Sequence, residues 1–174
     1  ESGDGCNYGE GGNHFLAALR RNVDITVIVH DNQIYGLTKG QASPMTLEGQ
    51  KTKAQPQGVM AAPFNPLAVA VVSGAGFVAR SFSGLHEHMV DMITRAIQHP
   101  GFALVDVLQP CVSFNKINTF GWYKQRAKEL ENHDPSDRDQ ALAAALTFGD
   151  TIPIGVLYQN TDRPPLNARV AAVA

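Results

Sequence analysis

ESGDGCNYGEGGNHFLAALRRNVDITVIVHDNQIYGLTKGQ, residues 1–41, is the stretch from which the fold of this chain can be predicted. Its pattern indicates a loop, a helix, a strand and a second loop. Apolar residues at helical spacing predict the helix from Asn13 to about Asn22. The β-branched run from Ile25 to Val29 predicts a strand that is buried on both faces. A helix followed directly by such a strand is the second half of a βαβ unit, so we expect the first strand to lie just before Glu1.

Polar residues follow the carboxyl ends of these two strands. Asp4 should leave the first strand and Asn32 the second. Neighbouring strands lie about 4.8 Å apart, and ligands of parallel sheets bind beyond the carboxyl ends. The two side chains could therefore reach one ion, and Mg²⁺ prefers such oxygen ligands together with substrate phosphates. Gly9, Gly11 and Gly12 would let backbone N–H groups approach an anion at the helix N-terminus. The alternative is an ordinary βαβ turn with a solvated Asp4.

Three motifs carry a resemblance to a known family. They are GDG at residues 3–5, DNQIYG at residues 31–36 and the continuation LTKGQASPMT at residues 37–46. Over about residues 3–158 the chain resembles the β subunit of 2-oxoacid:ferredoxin oxidoreductases, the group that includes the 2-oxoglutarate and pyruvate enzymes. The resemblance implies an α/β fold with a parallel sheet. This would be a domain that binds thiamine diphosphate (ThDP) and Mg²⁺ and that lacks its N-terminal part here.

The same resemblance implies the residues of the cofactor site. Asp4 and Asn32 would bind Mg²⁺ through their side chains and Ile34 through its backbone carbonyl. The residues expected around the diphosphate and the thiazolium are Gly3, Asp4, Gly5, Asn32, Ile34, Tyr35, Gly36, Leu37 and Thr38. Leu37 and Lys39 come just beyond the metal ligands, where a 2-oxoacid would enter. Lys39 could pair with the substrate carboxylate, or it could equally be a solvated surface lysine.

The implied reaction is the oxidative decarboxylation of a 2-oxoacid with coenzyme A to acyl-CoA, CO₂ and reduced ferredoxin. The expected partners are ferredoxin and an α subunit, which would supply the acidic residue for the aminopyrimidine of ThDP. We expect the isolated chain to be inactive. Two alternatives stay open: another ThDP-dependent decarboxylase, such as an acetolactate-synthase-like enzyme, and an inactive fragment that serves only as an interaction module.

Cys111 follows a strand predicted over residues 102–108, at the same edge as Asp4 and Asn32 if the strands are parallel. A single cysteine is more often a small buried hydrophobic residue than a ligand. The segment QPCVSFN, residues 109–115, instead resembles the family segment that carries one cysteine ligand of a 4Fe-4S cluster. Such a cluster needs four thiolates. The resemblance implies that the others lie in an N-terminal part that includes a CxxC motif and precedes Glu1. Cys6 matches no ligand position of the family.

Composition limits the class of protein. The formal net charge is −2, so nothing predicts binding to nucleic acid or to an anionic membrane. No apolar run approaches the roughly 20 residues of a membrane span, and no signal peptide is visible. With two cysteines the chain shows no disulfide framework, so we expect a reducing, cytoplasmic location.

The rest of the chain alternates between predicted helices, strands and loops. Four prolines between residues 40 and 66 argue against regular structure there, and we interpret this segment as an ordered lid or cofactor-binding loop rather than a flexible one.

His86 and His88 lie on different helix faces and should not share a metal. We predict one domain over residues 1–158 and a flexible tail over residues 159–174. The remaining predicted elements are a short helix after Pro66, a strand ending near Arg80, a helix from Leu85 to His99 with the core stripe Met89, Met92, Ile93, Ala96 and Ile97, a helical piece within Trp122–Asn132, a helix over Arg138–Phe148 and an extended segment Ile152–Tyr158.

Overall fold

Six strands form the sheet in the computed structural model, which describes residues 1–173. Their order across the sheet is β1-β2-β4-β3-β6-β5. β1 to β4 run parallel to one another, whereas β6 runs antiparallel to β3 and parallel to β5. The predicted α/β fold with a parallel sheet is therefore confirmed, with one antiparallel pairing that was not predicted. The strands are β1 (Ser2–Gly3), β2 (Thr26–Asp31), β3 (Phe77–Phe82), β4 (Ala103–Leu108), β5 (Ala127–Glu129) and β6 (Ile152–Gln159).

Helices cover both faces of this sheet. The predicted helices over residues 13–22, 85–99 and 138–148 are confirmed, with small differences at their ends. Asn65 caps the helix that begins at Pro66, since its side chain accepts a hydrogen bond from the Ala68 N–H. Asp137 caps the helix that begins at Arg138. The helices are a π-helix (Gly5–Glu10), α1 (Gly12–Arg21), α2 (Pro66–Val72), α3 (His86–Gln98), α4 (Phe120–Arg126), α5 (Arg138–Leu146) and α6 (Leu166–Ala171).

Two segments differ from the predicted secondary structure. The glycine-rich segment before α1 is a π-helix rather than a loop, and its end is closed by a 2.7 Å hydrogen bond from the Gly11 N–H to the Cys6 carbonyl. The segment Trp122–Asn132 is only partly helical. α4 ends at Arg126, and Ala127–Glu129 pairs with Ile152–Ile154 of β6. The edge of β6 therefore provides hydrogen-bonding partners for Ala127–Glu129, and the local sequence does not predict this pairing.

β2 is less buried than predicted. Thr26, Val27 and Ile28 are only half-buried, although Val29 and Asp31 are buried. The two-residue strand β1 pairs only with Val29 and His30. The first half of β2 therefore has no neighbouring strand on that side within residues 1–173, which explains its exposure.

The core lies on both faces of the parallel strands. One cluster joins α1, α2 and α5 to the sheet through residues such as Leu19, Leu67 and Leu104. The other joins α3 to the opposite face through Met92 and Ala96, as predicted. Ile97 was placed in the same stripe, but it is 64% exposed because it lies on the outer side of α3.

The proline-rich loop over residues 40–66 is ordered, as we interpreted it. The Gly49 N–H donates to the Val59 carbonyl at 2.7 Å, and the Val59 N–H donates to the Gln50 carbonyl at 3.0 Å. Met45 and Val59 are buried. The loop therefore packs as part of the domain, and its role as a lid or cofactor-binding loop stays a prediction.

The tail, predicted to be flexible, contains α6 and is held against the domain. Asn22 has a left-handed backbone with a φ of 53°. Its side-chain amide donates to the Arg163 carbonyl at 3.0 Å, and its backbone carbonyl accepts from the Leu166 N–H at 2.9 Å. Ala174 lies outside the described residues, and the division of the chain at residue 158 stays a prediction.

Candidate active site

A cleft of about 710 Å³ opens at the carboxyl ends of β1 and β2. Gly3 pairs with His30, so Asp4 and Asn32 leave neighbouring strands at the same edge. All nine residues predicted to surround the cofactor line this cleft, although their roles stay predictions. The lining residues are Gly3, Asp4, Gly5, Cys6, Glu10, Asn32, Ile34, Tyr35, Gly36, Leu37, Thr38, Gln41 and Ala42.

Asp4 is the buried carboxylate of the cleft, with 1% of its surface exposed. The Ser43 hydroxyl donates to its Oδ2 at 2.5 Å. Burial raises the pKa of Asp4, and hydrogen bonds from Ser43 and from the Asn32 backbone oppose that shift. No Lys or Arg in residues 1–173 forms an ion pair with this carboxylate. A bound cation would offset the cost of burying it.

Asn32 and Ile34 complete the oxygen ligands of the predicted magnesium site. The Asn32 side-chain oxygen accepts a 3.1 Å hydrogen bond from the Ile34 N–H, which holds both residues in one turn. That oxygen keeps a second lone pair. A carboxylate, a carboxamide oxygen and a backbone carbonyl beside a diphosphate are the kind of ligands that Mg²⁺ takes. The residues present therefore fit Mg²⁺ and the diphosphate of ThDP.

Tyr35 packs directly on the glycines of the π-helix. A Cβ atom added at Gly5 would lie 2.2 Å from Tyr35 Cε1. The Tyr35 hydroxyl lies 3.0 Å from Glu10 Oε1 and 3.3 Å from the Gly5 carbonyl oxygen. Burial and the Glu10 carboxylate raise the pKa of Tyr35 to about 12, so it remains a neutral donor near pH 7. Glycine at position 5 is thus required for Tyr35 to form one wall of the cleft.

Leu37 and Lys39 lie on a short projecting loop. The loop is closed by hydrogen bonds from the Tyr35 N–H to the Gln41 carbonyl and from the Gly40 N–H to the Tyr35 carbonyl, at 2.9 and 2.8 Å. Leu37 is fully exposed at the cleft. Lys39 is exposed and is not among the residues that line the cleft. It lies beside the entrance, and its pairing with a substrate stays a prediction.

Cys111 lies at the same edge of the sheet. A Cβ atom added at Gly36 would be 3.7 Å from Cys111 Sγ. Cys6 and Cys111, both free, are the two cysteines of the chain. Four thiolates are needed for a 4Fe-4S cluster, so these residues alone do not fit one. No group of three or more potential metal-ligating His, Cys, Asp or Glu side chains occurs within residues 1–173.

Sequence reasoning missed several residues of the site. Cys6, Glu10, Gln41 and Ala42 line the cleft without having been predicted there. Ser43, which bonds to Asp4, lies 39 residues away in sequence. The motif SPMT is typical of a turn, but no local pattern predicts a contact across 39 residues of sequence.

Three buried charges lie behind the cleft, on adjacent strands. In the sheet, Asp106 of β4 pairs with Val29 of β2 and with Arg80 of β3. Asp31, the last residue of β2, lies on the same face of the sheet as Asp106. The Tyr8 hydroxyl donates to Asp106 Oδ1 at 2.8 Å. Burial raises the pKa of Asp106 to about 6, against the opposing influence of Arg80 and Tyr8. Burial also raises the pKa of Asp31, and the Asp106 charge raises it further.

Asp106→Asn should remove a pH-dependent cost of folding. Burial raises the pKa of Asp106 to about 6 in the folded protein, above the ordinary value of 3.8 for an aspartate side chain. The folded state therefore binds this proton more tightly than the unfolded state, and the stability that results is lost as the pH rises through about 6. Relative to the unchanged protein, Asp106→Asn should gain up to about 3 kcal/mol of unfolding free energy between pH 4 and pH 7. Urea denaturation across this range measures the difference, with exposed Asp150→Asn as control; a difference independent of pH would contradict the expectation.

Two family models match the chain. The model described as thiamine pyrophosphate enzyme, C-terminal TPP binding domain, matches residues 1–107. Thiamine pyrophosphate is another name for ThDP. The chain belongs to the thiamine pyrophosphate enzymes. The model for the C-terminal part of the pyruvate ferredoxin oxidoreductase beta subunit matches residues 111–174.

Relatives within this family confirm the predicted resemblance to β subunits. A 2-oxoacid:ferredoxin oxidoreductase subunit beta from Sulfolobus sp is 44% identical over 98% of this chain and 60% of the relative. The 2-oxoglutarate oxidoreductase subunit KorB from Mycobacterium tuberculosis is 41% identical over 74% of this chain and 34% of the relative. The chain spans about 60% of the length of the curated relatives that match nearly all of it.

A solved structure has the same fold. It is a 2-oxoglutarate:ferredoxin oxidoreductase from Magnetococcus marinus with 2-oxoglutarate, coenzyme A and succinyl-CoA bound. The TM-score is 0.94 at 37% identity, and the match covers 98% of this chain and 59% of that one. None of the helices in residues 1–173 is long and apolar enough to span a membrane.

Proposed function

We propose that this chain is the ThDP-binding part of a 2-oxoacid:ferredoxin oxidoreductase β subunit. The reaction is the oxidative decarboxylation of a 2-oxoacid with coenzyme A, which yields an acyl-CoA, CO₂ and reduced ferredoxin. The observation that carries the proposal is the convergence of the Asp4 carboxylate with Asn32 and Ile34 in one cleft. The relatives support the choice of this oxidoreductase over other ThDP enzymes.

Residues of the cleft hold the cofactor in this proposal. Asp4, Asn32 and the Ile34 carbonyl bind Mg²⁺, and the open position at Gly3 leaves room for the diphosphate. Tyr35 and Glu10 fix the wall beside the thiazolium. When bound, ThDP supplies the electron sink that makes decarboxylation of a 2-oxoacid possible. The chain's own contribution is to bind and orient it.

Leu37 and Lys39 face the substrate side of the cofactor. Leu37 would pack on the substrate or on a partner subunit, since it lines the cleft and its side chain is fully exposed there. The Lys39 ammonium would pair with the substrate carboxylate. Both assignments rest on their position at the entrance of the cleft.

Partners complete the site. An α subunit supplies the acidic group for the aminopyrimidine, and ferredoxin accepts the electrons. Cys111 supplies one thiolate of a 4Fe-4S cluster, and the remaining ligands come from outside these 174 residues. The two free cysteines fit a reducing, cytoplasmic location.

The test is anaerobic reduction of ferredoxin or a viologen dye by the intact complex, with 2-oxoglutarate and pyruvate as substrates. Reduction should require the 2-oxoacid, coenzyme A and ThDP. Lys39→Ala should raise the KM for the 2-oxoacid by about 10-fold to 100-fold, the effect of losing one charged hydrogen bond. Exposed Lys53→Ala is the matched control and should leave the KM unchanged. Release of CO₂ without coenzyme A or electron transfer would instead identify a non-oxidative decarboxylase.

A further inference from the structure

A second cavity, of about 260 Å³, lies on the other side of residues 31–34 from the cofactor cleft. Residues 31–34 separate the two spaces, and their side chains alternate between them. Asn32 and Ile34 line the cleft, whereas Asp31 and Gln33 line the cavity. The turn at residues 32–34, in which Gln33 has a φ of 59°, places the side chains on opposite sides of the backbone. The cavity is therefore a separate space, and no part of the proposed function uses it.

Buried polar atoms of the cavity lack partners in the protein. Asp31 is 0% exposed, and by distance and angle neither of its carboxylate oxygens accepts a hydrogen bond from residues 1–173, although the Gln33 backbone lies near enough to lower the pKa of Asp31. Gln33 Oε1 also accepts none from these residues, in a side chain that is 1% exposed. A buried group without a partner costs about 1–3 kcal/mol. Three such acceptor atoms on two adjoining side chains indicate a place where a ligand donates hydrogen bonds.

The charges of the cavity are unbalanced. Asp31 and Asp106 contribute two carboxylates to its lining, and Arg80 contributes one guanidinium. The terminal nitrogens of Arg80 donate to the carbonyls of Ala145, Thr147 and Pro153. Arg80 forms no ion pair with either carboxylate within residues 1–173. Within residues 1–173 the Arg80 Nε is also buried without a partner. Unpartnered acceptor atoms therefore outnumber unpartnered donor atoms by three to one at this cavity, and the formal charge of its lining side chains is −1.

The walls of the cavity are mainly apolar. They include Met45, Leu47, Phe64, Leu67, Leu146 and Phe148. The volume of about 260 Å³ exceeds the roughly 150 Å³ that can enclose benzene and is near the lower end of small-molecule sites. Because the cavity combines apolar walls with two acidic side chains, its shape and chemistry match a molecule with one cationic end and a short apolar body.

We propose that this cavity binds a small organic cation, a primary ammonium carried on a short apolar chain. The ammonium group donates to the Asp31 carboxylate and to Gln33 Oε1, and the apolar chain packs against Phe64, Leu67 and Leu146. An inorganic cation would leave the apolar walls unused.

Calorimetric titration of the intact protein with n-butylammonium chloride tests the proposal. n-Butanol and sodium n-butyrate serve as probes of equal size without the positive charge. We expect saturable binding of n-butylammonium, with n-butanol at least about 10-fold weaker and no binding of n-butyrate. Equal affinity for n-butanol and n-butylammonium would overturn the proposal, as would complete displacement of n-butylammonium by an equal concentration of potassium chloride.

Two variants locate the binding. Asp31→Asn keeps the shape of the side chain and should weaken n-butylammonium by about 10-fold or more. Leu146→Trp changes a residue that is 61% exposed at the edge of the cavity, so the larger side chain can fill the space without disturbing the core. It should abolish binding. Ile97→Trp, at a 64% exposed site on α3, is the matched control and should bind normally. Unchanged affinity in Leu146→Trp would show that the ligand binds elsewhere and would refute the assignment.

Discussion

Asp4→Ala should abolish the Mg²⁺-dependent binding of ThDP, with a loss of at least about 100-fold in affinity, because replacing even an outer-shell partner of a metal costs about 10-fold to 100-fold. Asp4 is the one carboxylate among the predicted metal ligands, and it is buried where a cation would offset its desolvation. Calorimetric titration of the intact protein with ThDP, with and without Mg²⁺, measures the effect. Asp4→Asn keeps an oxygen ligand but loses the negative charge. Its affinity for ThDP should therefore lie between those of Asp4→Ala and the unchanged protein.

Folding and binding can be separated in this variant. Burial raises the pKa of Asp4, so the ionised carboxylate is a net cost to the folded protein when no cation is bound. Asp4→Ala should therefore retain its thermal unfolding temperature while losing the cofactor. Asp150→Asn, at an exposed loop position, controls for the loss of one negative charge. Tight, Mg²⁺-dependent binding by Asp4→Ala would refute the metal assignment.

Arg80→Met should cost about 3–5 kcal/mol of unfolding free energy at pH 8, because it leaves buried carboxylates without a nearby cation. Arg80 is 4% exposed and lowers the pKa of both Asp31 and Asp106. Methionine has a similar length but leaves the two carboxylates without a compensating cation. The carbonyls of Ala145 and Thr147 also lose a donor.

The loss should shrink as the pH falls. Without Arg80 the pKa of Asp106 rises further above its present value of about 6, so at pH 5 the carboxyl group is protonated and needs no cation. Guanidinium chloride denaturation at pH 8 and pH 5 measures both values. Arg95→Met is the matched control, since Arg95 is half-exposed and pairs with Asp91 at 3.8 Å; it should change stability by less than about 1 kcal/mol. A loss that is equal at both pH values would show that packing, not charge, accounts for the role of Arg80.

Local patterns were sufficient to predict most helices and the parallel strands. The helical spacing of Phe15 and Leu19 predicted α1, and the mainly apolar run before Gln109, broken only by Asp106, predicted β4. Asp4 and Asn32 were predicted to meet because the carboxyl ends of parallel strands share one edge. These inferences need only the period of the pattern and the geometry of a βαβ unit. The pairing of β5 with β6 and the antiparallel pairing of β6 with β3 were not predictable in this way, because nothing within either strand specifies its neighbour.

Sequence patterns were enough to predict the class of fold, the motifs at residues 3–5 and 31–36, and the resemblance that leads to ThDP. The folded structure was needed to show that the glycine segment forms a π-helix under Tyr35, that Ser43 donates to Asp4, and that Lys39 lies beside the cleft rather than in its wall. It also decided that Asp31, Arg80 and Asp106 meet around one cavity. The physical reason is that period and turn chemistry act over a few neighbouring residues, whereas burial, strand register and the balance of charge depend on residues brought together from distant parts of the chain.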